Sequence, residues 1–425
     1  MAMARRSGLL PDTTDVAIVG AGPYGLSIAA HLRASPVDFR IFGEPMIFWR
    51  RMLPSLHLKS PDFGSNIYTP EPGNTFIEWA DARGLSRQEP IPMSRFTEYG
   101  LDTQRRILPM VEPVHVTRVR PQGSGFEVGL ADGSCFHARR VVVAVGLAYF
   151  AQVPAPLAHL PPDLVTHTSR HATYDGWNGR RVIVIGTGQS ALESAAALRE
   201  SGAAVTLVFR KAAPYFTPTP SGRERSLWQR IRRPRTVLGE GPLNYSLQTF
   251  PAWPHFLLPE RLRVALTKKH LGPYGTWWLR KSLEGHVAFV SKSTIVGARA
   301  HGAGVELRVR DASGKERSLV ADHIVCGTGY ATDVERLPFL EPELTRRIAR
   351  IGRAPRLSFQ FESSVPGLYF VGQAASFSFG PILRFVCGAE YTAPAVARYL
   401  EASLSRVPRR AAFRAVDHGT FPVAR

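Results

Sequence analysis

Cysteine is almost missing from this chain: Cys135, Cys326 and Cys387 are the only three in 425 residues. They lie far apart and make no C-x-x-C pair, which argues against a dithiol–disulfide mechanism and against a cysteine-built metal site. They read as small buried hydrophobes in a reducing compartment. No apolar run approaches the roughly 20 residues that a membrane-spanning helix needs. Arg5-Arg6 is not followed by an apolar signal segment, and the first strand starts by about Val16, so secretion is not expected and a cytoplasmic location is. Acid is also in short supply, 34 Asp and Glu against 53 Lys and Arg, for a net charge of +19. Such an excess suits nucleic acid, a membrane surface or anionic ligands. The basic residues are spread along the chain, however, without a nucleic-acid-binding signature. Arginine-rich solvated faces account for most of the charge, and anionic cofactors for part of it.

What is present is an ordinary globular composition, 44% hydrophobic and 20% charged, with room for two or three domains. Two glycine-rich turns stand 166 residues apart: Asp15-Val-Ala-Ile-Val-Gly20-Ala-Gly22-Pro23-Tyr24-Gly25 and Arg181-Val-Ile-Val-Ile-Gly186-Thr-Gly188-Gln189-Ser190-Ala191. A short β-branched run precedes each, as suits a parallel strand covered on both faces. The spacing predicts a helix after each turn, over 26–33 and 191–199, and then a second strand, over 39–42 and 205–208. In this G-x-G-x-x-G/A pattern the first glycine makes the tight turn and the second lets a pyrophosphate approach the backbone. The third, or Ala191, lets helix and strand pack closely. The helix start then offers free N–H groups and a positive dipole end to the phosphates.

The residue 24 positions past the first glycine differs in sign between the copies, Glu44 in one and Arg210-Lys211 in the other. A carboxylate suits a ribose diol and a guanidinium suits a 2′-phosphate. FAD is therefore expected at the first turn and NADPH at the second. A surface-turn carboxylate and a solvated strand end are the competing readings of these positions.

The chain looks duplicated beyond the turns. A β-meander is expected from about Val116 through Asp132-Gly133 to Gly146. Another runs from about Ile295 through Ser313-Gly314 to Gly327-Thr-Gly329-Tyr330. A last strand ends at Gly372-Gln373, and a small-residue helix is expected over 383–400. The expected fold is α/β, two Rossmann-like dinucleotide-binding domains each with a β-meander. The FAD domain is discontinuous (15–175 and 322–425) and the NADPH domain (176–321) is inserted within it, after a flexible tail (1–14). Residues 212–285, rich in proline and aromatics, read as a helical excursion that covers the cleft or makes a subunit contact. Residues 49–90 read as a second excursion, toward the flavin.

Taken together, His167-Thr-Ser-Arg-His171 ahead of the second turn, Gly327-Thr-Gly329-Tyr330 with Asp333, and Leu368-Tyr-Phe-Val-Gly372 resemble the motif order of the class B flavoprotein monooxygenases. These include flavin-containing monooxygenases, Baeyer–Villiger enzymes and amine N-hydroxylases. The segment Phe42-Gly-Glu44-Pro-Met-Ile-Phe-Trp49 is similar to one in bacterial flavoproteins of this type. The resemblance covers roughly residues 15–210 and 320–400. It implies that NADPH reduces FAD, that O₂ adds to give a C4a-(hydro)peroxide, and that one oxygen passes to a small molecule. The flavin supplies the organic chemistry, and the protein positions partners and excludes water. The Baeyer–Villiger fingerprint is only partly present, with Pro161, Asp163 and His171 at three of its positions, so oxygenation at nitrogen or another heteroatom is favoured over carbon insertion. A reductase without oxygenation and a non-catalytic redox sensor are the alternatives.

Three residues are candidates for the chemistry. Asn66, after Lys59-Ser60 and Ser65, is placed near the isoalloxazine as an amide donor, or is a turn residue before Pro70. His167 is a candidate to orient the nicotinamide or take a proton, or is a linker histidine. Arg384, in Phe377-Ser-Phe379-Gly380-Pro-Ile-Leu-Arg384, is a candidate to stabilise reduced flavin or to bind an acidic substrate, or is a surface arginine. Trp49, Lys59, Phe379 and Gly380 complete the expected cofactor contacts. No metal site is expected, nor a nucleic-acid partner or membrane span; a homo-oligomer is left open.

Overall fold

The computed structural model describes residues 13–218, 226–270, 272 and 274–405. Most of the expected N-terminal tail lies outside that range, but Thr13 and Thr14 already belong to the first strand. Strand β1 (Thr13–Val19) runs into helix α1 (Pro23–Leu32) and strand β2 (Phe39–Phe42). The first meander follows as β3 (Val116–Gln122), β4 (Gly125–Leu130) and β5 (Cys135–Val143). Beyond it come β6 (Val165–His167), β7 (Arg181–Ile185), α2 (Gln189–Glu200) and β8 (Ala204–Val208). The excursion contains the long helix α3 (Glu260–Lys269). The chain continues through β9 (Ala288–Val290), β10 (Thr294–His301), β11 (Gly304–Arg310), β12 (Glu316–Ala321) and β13 (His323–Cys326). It ends with β14 (Leu368–Phe370) and α4 (Ala389–Ser405).

These strands form two open sheets and a separate three-stranded antiparallel meander, β10-β11-β12. The first has the order β2-β1-β5-β4-β3. One edge of β5 serves two partners in succession: β4 pairs antiparallel along residues 135–138, and β14 pairs parallel along 141–143. The meander and the returning C-terminal strand thus share one scaffold strand. The second sheet is wholly parallel, in the order β9-β8-β7-β13-β6. Its central strand shows why. Val182 and Val184 face α2 in one core cluster, while Ile183 and Ile185 face the meander β10–β12 in another. A strand apolar on both faces needs a layer on each side.

Two expected boundaries move. Val165–His167 and His323–Cys326, expected in the first domain, are strands of the second sheet and pair with each other. The last helix begins at Ala389 instead of Leu383, behind two short 3₁₀ turns, Pro381–Arg384 and Val386–Gly388. Phe385 is extended (φ −115°, ψ 160°) and separates the two turns, and the Tyr24 hydroxyl ties this segment down by bonding to the carbonyls of Leu383 (3.1 Å) and Phe385 (2.8 Å). Among its described residues the excursion consists of α3, shorter helices and one small hairpin, 235–240, and it docks on the first unit: Val237, Leu238 and Leu247 join that unit's core.

The two nucleotide turns solve one packing problem with opposite residues. A Cβ on Gly25 would lie 1.9 Å from the carbonyl oxygen of Gly20, and Ala144 sits across from it. In the second turn that helix position carries Ala191, and the strand facing it carries Gly327, where a Cβ would come within 2.3 Å of the Ala191 Cβ. In the first turn the Gly20 carbonyl sets the limit, since a Gly25 Cβ would sit an ordinary 3.5 Å from the Ala144 Cβ; in the second, Ala191 itself sets it. Gly25→Ala and Gly327→Ala should therefore each lower unfolding free energy by about 3 kcal/mol in urea titrations. Adding Ala191→Gly should not rescue Gly327→Ala, because the Ala191 Cα would still be 2.6 Å away. Full recovery in the double variant would show that the backbone does not set this limit.

Candidate active site

Both helices that follow the glycine turns start without a cap. Gly22 and Gly188 are the N-cap residues, neither helix has a side-chain cap, and neither has an acid in its first turn. Other helices here are capped: Thr75 and Ser226 each open one with a reciprocal capping box. The leading N–H groups of α1 and α2 are thus left for an anion, and no carboxylate opposes one. A Cβ added to Gly22 would meet nothing within 4 Å, so the backbone there is open to a close-approaching group. The cradle fits a dinucleotide pyrophosphate at both turns.

The strand ends beside these turns carry the opposed charges. Glu44 follows β2 and faces Arg50 and His115, each 3.6 Å away. Its loop is pinned by Gly43 N–H to the Glu112 carbonyl (2.9 Å) and by Met46 N–H to the Ala21 carbonyl (3.0 Å). Arg210 and Lys211 follow β8 through Phe209, and both are exposed. The Lys211 ammonium lies 5.4 Å from the centre of the Tyr274 ring.

A buried polar cluster joins the two halves of the chain at the second turn. The Gln189 amide donates to the Glu193 carboxylate (2.6 Å) and to the Thr276 hydroxyl (2.9 Å), while its own Oε1 is buried without a partner. Burial pushes the Glu193 carboxyl up to about 7, against the pull of Gln189, the His57 backbone and Lys59. Burial likewise lowers the Lys59 ammonium to about 8, while Glu193 opposes the shift. Lys59 donates to the Tyr274 carbonyl, so the 49–90 excursion reaches the 212–285 excursion directly beside α2. Sequence reading chose Gln189 and Lys59 but missed Glu193. The available signal was a carboxylate among Ala191, Leu192, Ala195 and Ala196 on a helix face that packs inward.

The three catalytic candidates are each engaged by their own chain. His167 is 4% exposed. Its Nδ1 accepts from the Ser169 N–H (3.2 Å) and its Nε2 bonds to the Gly329 carbonyl (3.1 Å). Burial, its largest influence, lowers it to about 4, so the ring is neutral with both nitrogens occupied. As the linker-histidine reading has it, His167 braces the Gly329-Tyr330 turn, and Tyr330 packs edge-on against it at 5.1 Å. Asn66 donates to the Phe63 carbonyl (3.0 Å) and accepts from the Phe76 N–H (2.8 Å), so its amide closes a local turn. Arg384 is not a surface arginine. It donates to the carbonyls of Thr267 (2.9 Å) and His270 (3.3 Å) at the end of α3, and burial lowers its pKa.

The remaining expected contacts fall on the same edges of the two sheets. Gly146 and Gly372-Gln373 close strands of the first sheet, and Gln373 donates to the Thr332 hydroxyl (3.3 Å). The Ser190 hydroxyl donates to that of Thr168 (2.6 Å). Trp49 packs on Phe96 at 5.0 Å. Phe379 is stacked between Phe361 (4.1 Å) and His255 (4.9 Å), and a Cβ on Gly380 would lie 3.1 Å from Pro254, so the excursion is laid against this segment. Pro23 and Tyr24 serve α1 itself, as its first residue and as the tie to the C-terminal segment. Among the described residues no group of three or more His, Cys, Asp or Glu is arranged to hold a metal, and no helix is long and apolar enough to cross a membrane.

Residues 17–223 match a family model described as pyridine nucleotide-disulphide oxidoreductase. The matched segment holds one cysteine, Cys135, so it carries no redox dithiol. A FAD-dependent urate hydroxylase from Xanthomonas campestris pv. campestris is 29% identical over 225 residues, 48% of this chain and 47% of that protein. A ferredoxin–NADP reductase from Gluconacetobacter diazotrophicus is 27% identical over 204 residues, 47% of this chain and 53% of that protein. The chain spans about half the length of these curated relatives. An ornithine N-hydroxylase structure from Kutzneria sp. 744 superimposes with a TM-score of 0.73 at 20% identity, covering 92% of this chain and all of that one. The chain shares the fold of that N-hydroxylase, with two Rossmann-like units.

The Glu193 environment makes stability depend on pH. A carboxyl raised from 4.5 to about 7 binds its proton more tightly folded than unfolded, so stability is lost as pH rises between those values. Glu193→Gln should leave unfolding free energy nearly unchanged at pH 5 and raise it at pH 8 by an amount on the order of 2 kcal/mol, read from urea titrations. Equal effects at both pH values would show that the carboxyl is not held neutral by burial.

Proposed function

We propose that the chain binds FAD at its first glycine turn and NADPH at its second. On this reading it acts as an NADPH- and O₂-dependent monooxygenase that oxygenates a small molecule at nitrogen or another heteroatom. One observation carries it: two uncapped, acid-free helix starts in one chain, with a carboxylate at the strand end beside the first and a guanidinium beside the second. FAD, when bound, supplies the path for hydride from NADPH and for electron transfer to O₂. The chain's own residues do the rest. The N–H groups of α1 and α2 hold the two pyrophosphates. Glu44 is placed for a ribose diol and Arg210 for a 2′-phosphate. On this reading the braced Gly329-Tyr330 turn and the stacked Phe379-Gly380 segment serve to keep water from the space where the rings meet. Arg384, a half-buried cation bonded only to neutral carbonyls, is the candidate contact for an acidic group on the substrate.

The likeness to amine N-hydroxylases in fold and the partial match to a urate hydroxylase support oxygenation. The partial match to ferredoxin–NADP reductases favours a second reading, hydride transfer to an acceptor without oxygenation. Free thiols at Cys135, Cys326 and Cys387 fit a cytoplasmic setting.

Purified FAD-loaded protein should consume NADPH faster in the presence of some primary amines or related nucleophiles, and form a product heavier by one oxygen. If hydrogen peroxide accounts for all NADPH consumed with every candidate while a one-electron acceptor is reduced efficiently, the reductase reading replaces this one. Arg210→Ala should raise KM for NADPH by tenfold or more and leave KM for NADH nearly unchanged, since a charge-assisted phosphate contact is worth about 1.5–3 kcal/mol. A parallel rise for both nucleotides would remove Arg210 from the 2′-phosphate.

A further inference from the structure

The loop after β9 lies beside the loop after β8, at the edge of the parallel sheet where ligands of open α/β sheets bind. Two backbone bonds join them: Lys292 N–H to the Lys211 carbonyl (2.9 Å) and Ser293 N–H to the Phe209 carbonyl (3.0 Å). Lys292 is thus fixed next to the Arg210-Lys211 pair, although 82 residues separate Lys292 from Arg210 in sequence. Its backbone is left-handed, with φ of 49°, a conformation that glycine or asparagine adopts far more readily than lysine. Lysine in that place suggests a use for its side chain.

A cavity of about 500 Å³ opens there, lined by Ser291, Lys292, Asp311, Ser313, Lys315 and Arg317. The acids around it are already engaged. Asp311 closes its own turn by accepting from the Ser313 N–H (2.9 Å), the Ser313 hydroxyl (2.6 Å) and the Lys315 N–H (3.1 Å). Glu316 pairs with Arg310 at 2.6 Å and Glu306 with Arg299 at 2.6 Å. The cavity therefore has three cations and a single carboxylate, and that carboxylate is tied up in a turn. This is a wall suited to a dianionic phosphate.

We propose that Lys292 is a second determinant of NADPH preference, supplying a cation to the 2′-phosphate from a different loop than Arg210. Lys315 and Arg317 reinforce the field from the hairpin between β11 and β12. The inference rests on the reading that the second turn binds NADPH. It adds a specificity position that the motif spacing does not reveal, because a strand and an entire excursion intervene.

The test is calorimetric binding to the FAD-loaded full chain, with 2′-phospho-ADP-ribose and ADP-ribose as probes. Lys292→Gly removes the ammonium and suits the left-handed backbone. It should weaken 2′-phospho-ADP-ribose about tenfold, leave ADP-ribose unchanged, and not lower the melting temperature. Lys292→Asn, also compatible with that backbone, should behave the same way. If both variants bind both probes as the unaltered protein does, while Arg210→Ala loses the preference for the phosphorylated probe, the Lys292 proposal is overturned and the NADPH reading stands. If the unaltered protein binds the two probes equally, the NADPH reading falls and this proposal with it.

Discussion

A helix can present its N-terminus to a phosphate at a strand end only if helix and strand nearly touch. That close approach is the constraint on which this molecule depends, and it is met twice. In the first unit the helix gives way, with Gly25 against the Gly20 carbonyl; in the second the strand gives way, with Gly327 opposite Ala191. The consequence spreads outward. With the helix start seated so close, an N-cap side chain is absent at both turns, and the free N–H groups become the binding surface. With both sheets ending at these turns, every other contact can come only from loops at the same edges.

Much of this was legible because it is local. A β-branched run, a glycine turn and a helix lie within about twenty residues of one another, and their spacing carries the βαβ pattern directly. The meander turns at Asp132-Gly133 and Ser313-Gly314 were legible for the same reason. Non-local features were not. Val165–His167 is only three residues long, and it joins the second sheet by pairing with His323–Cys326, more than 150 residues later. The segment ahead of the last helix is tied down by a hydroxyl at Tyr24, at the other end of the chain. Nothing around residues 383–388 signals that two carbonyls there are spoken for.

The candidate site divides along the same line. Turn residues such as Gly22 and Gly188 could be placed from spacing, because their role is a property of the backbone. Side-chain roles could not. His167 and Arg384 stand where functional groups were sought, but their hydrogen bonds go to Gly329 and Thr267, partners that only the folded chain brings close, while Asn66 closes a local turn. Glu193 shows the converse. It was passed over as one more helical carboxylate, and the fold makes it the least expected ionisable group at the second turn.

Glu193 also bears on how the two units work together. A carboxylate four residues into a helix whose start faces a pyrophosphate would repel that ligand if it were charged and alone. Here it is buried, which favours its neutral form, and the cation whose charge acts on it is Lys59, from the other half of the chain. Either state of the pair removes the conflict: a proton on Glu193, or a Lys59 ammonium held close enough to offset its charge. The second state requires the 49–90 excursion to stay against α2, and Lys59 is held there by the Tyr274 carbonyl. An electrostatic problem at the nucleotide site is therefore solved by a contact between the two units, so the geometry that brings the cradles together also keeps the second cradle hospitable to an anion. Burying an unpaired carboxylate at this position would otherwise cost several kcal/mol, which is reason enough for the lysine to lie on the opposite side of the cleft.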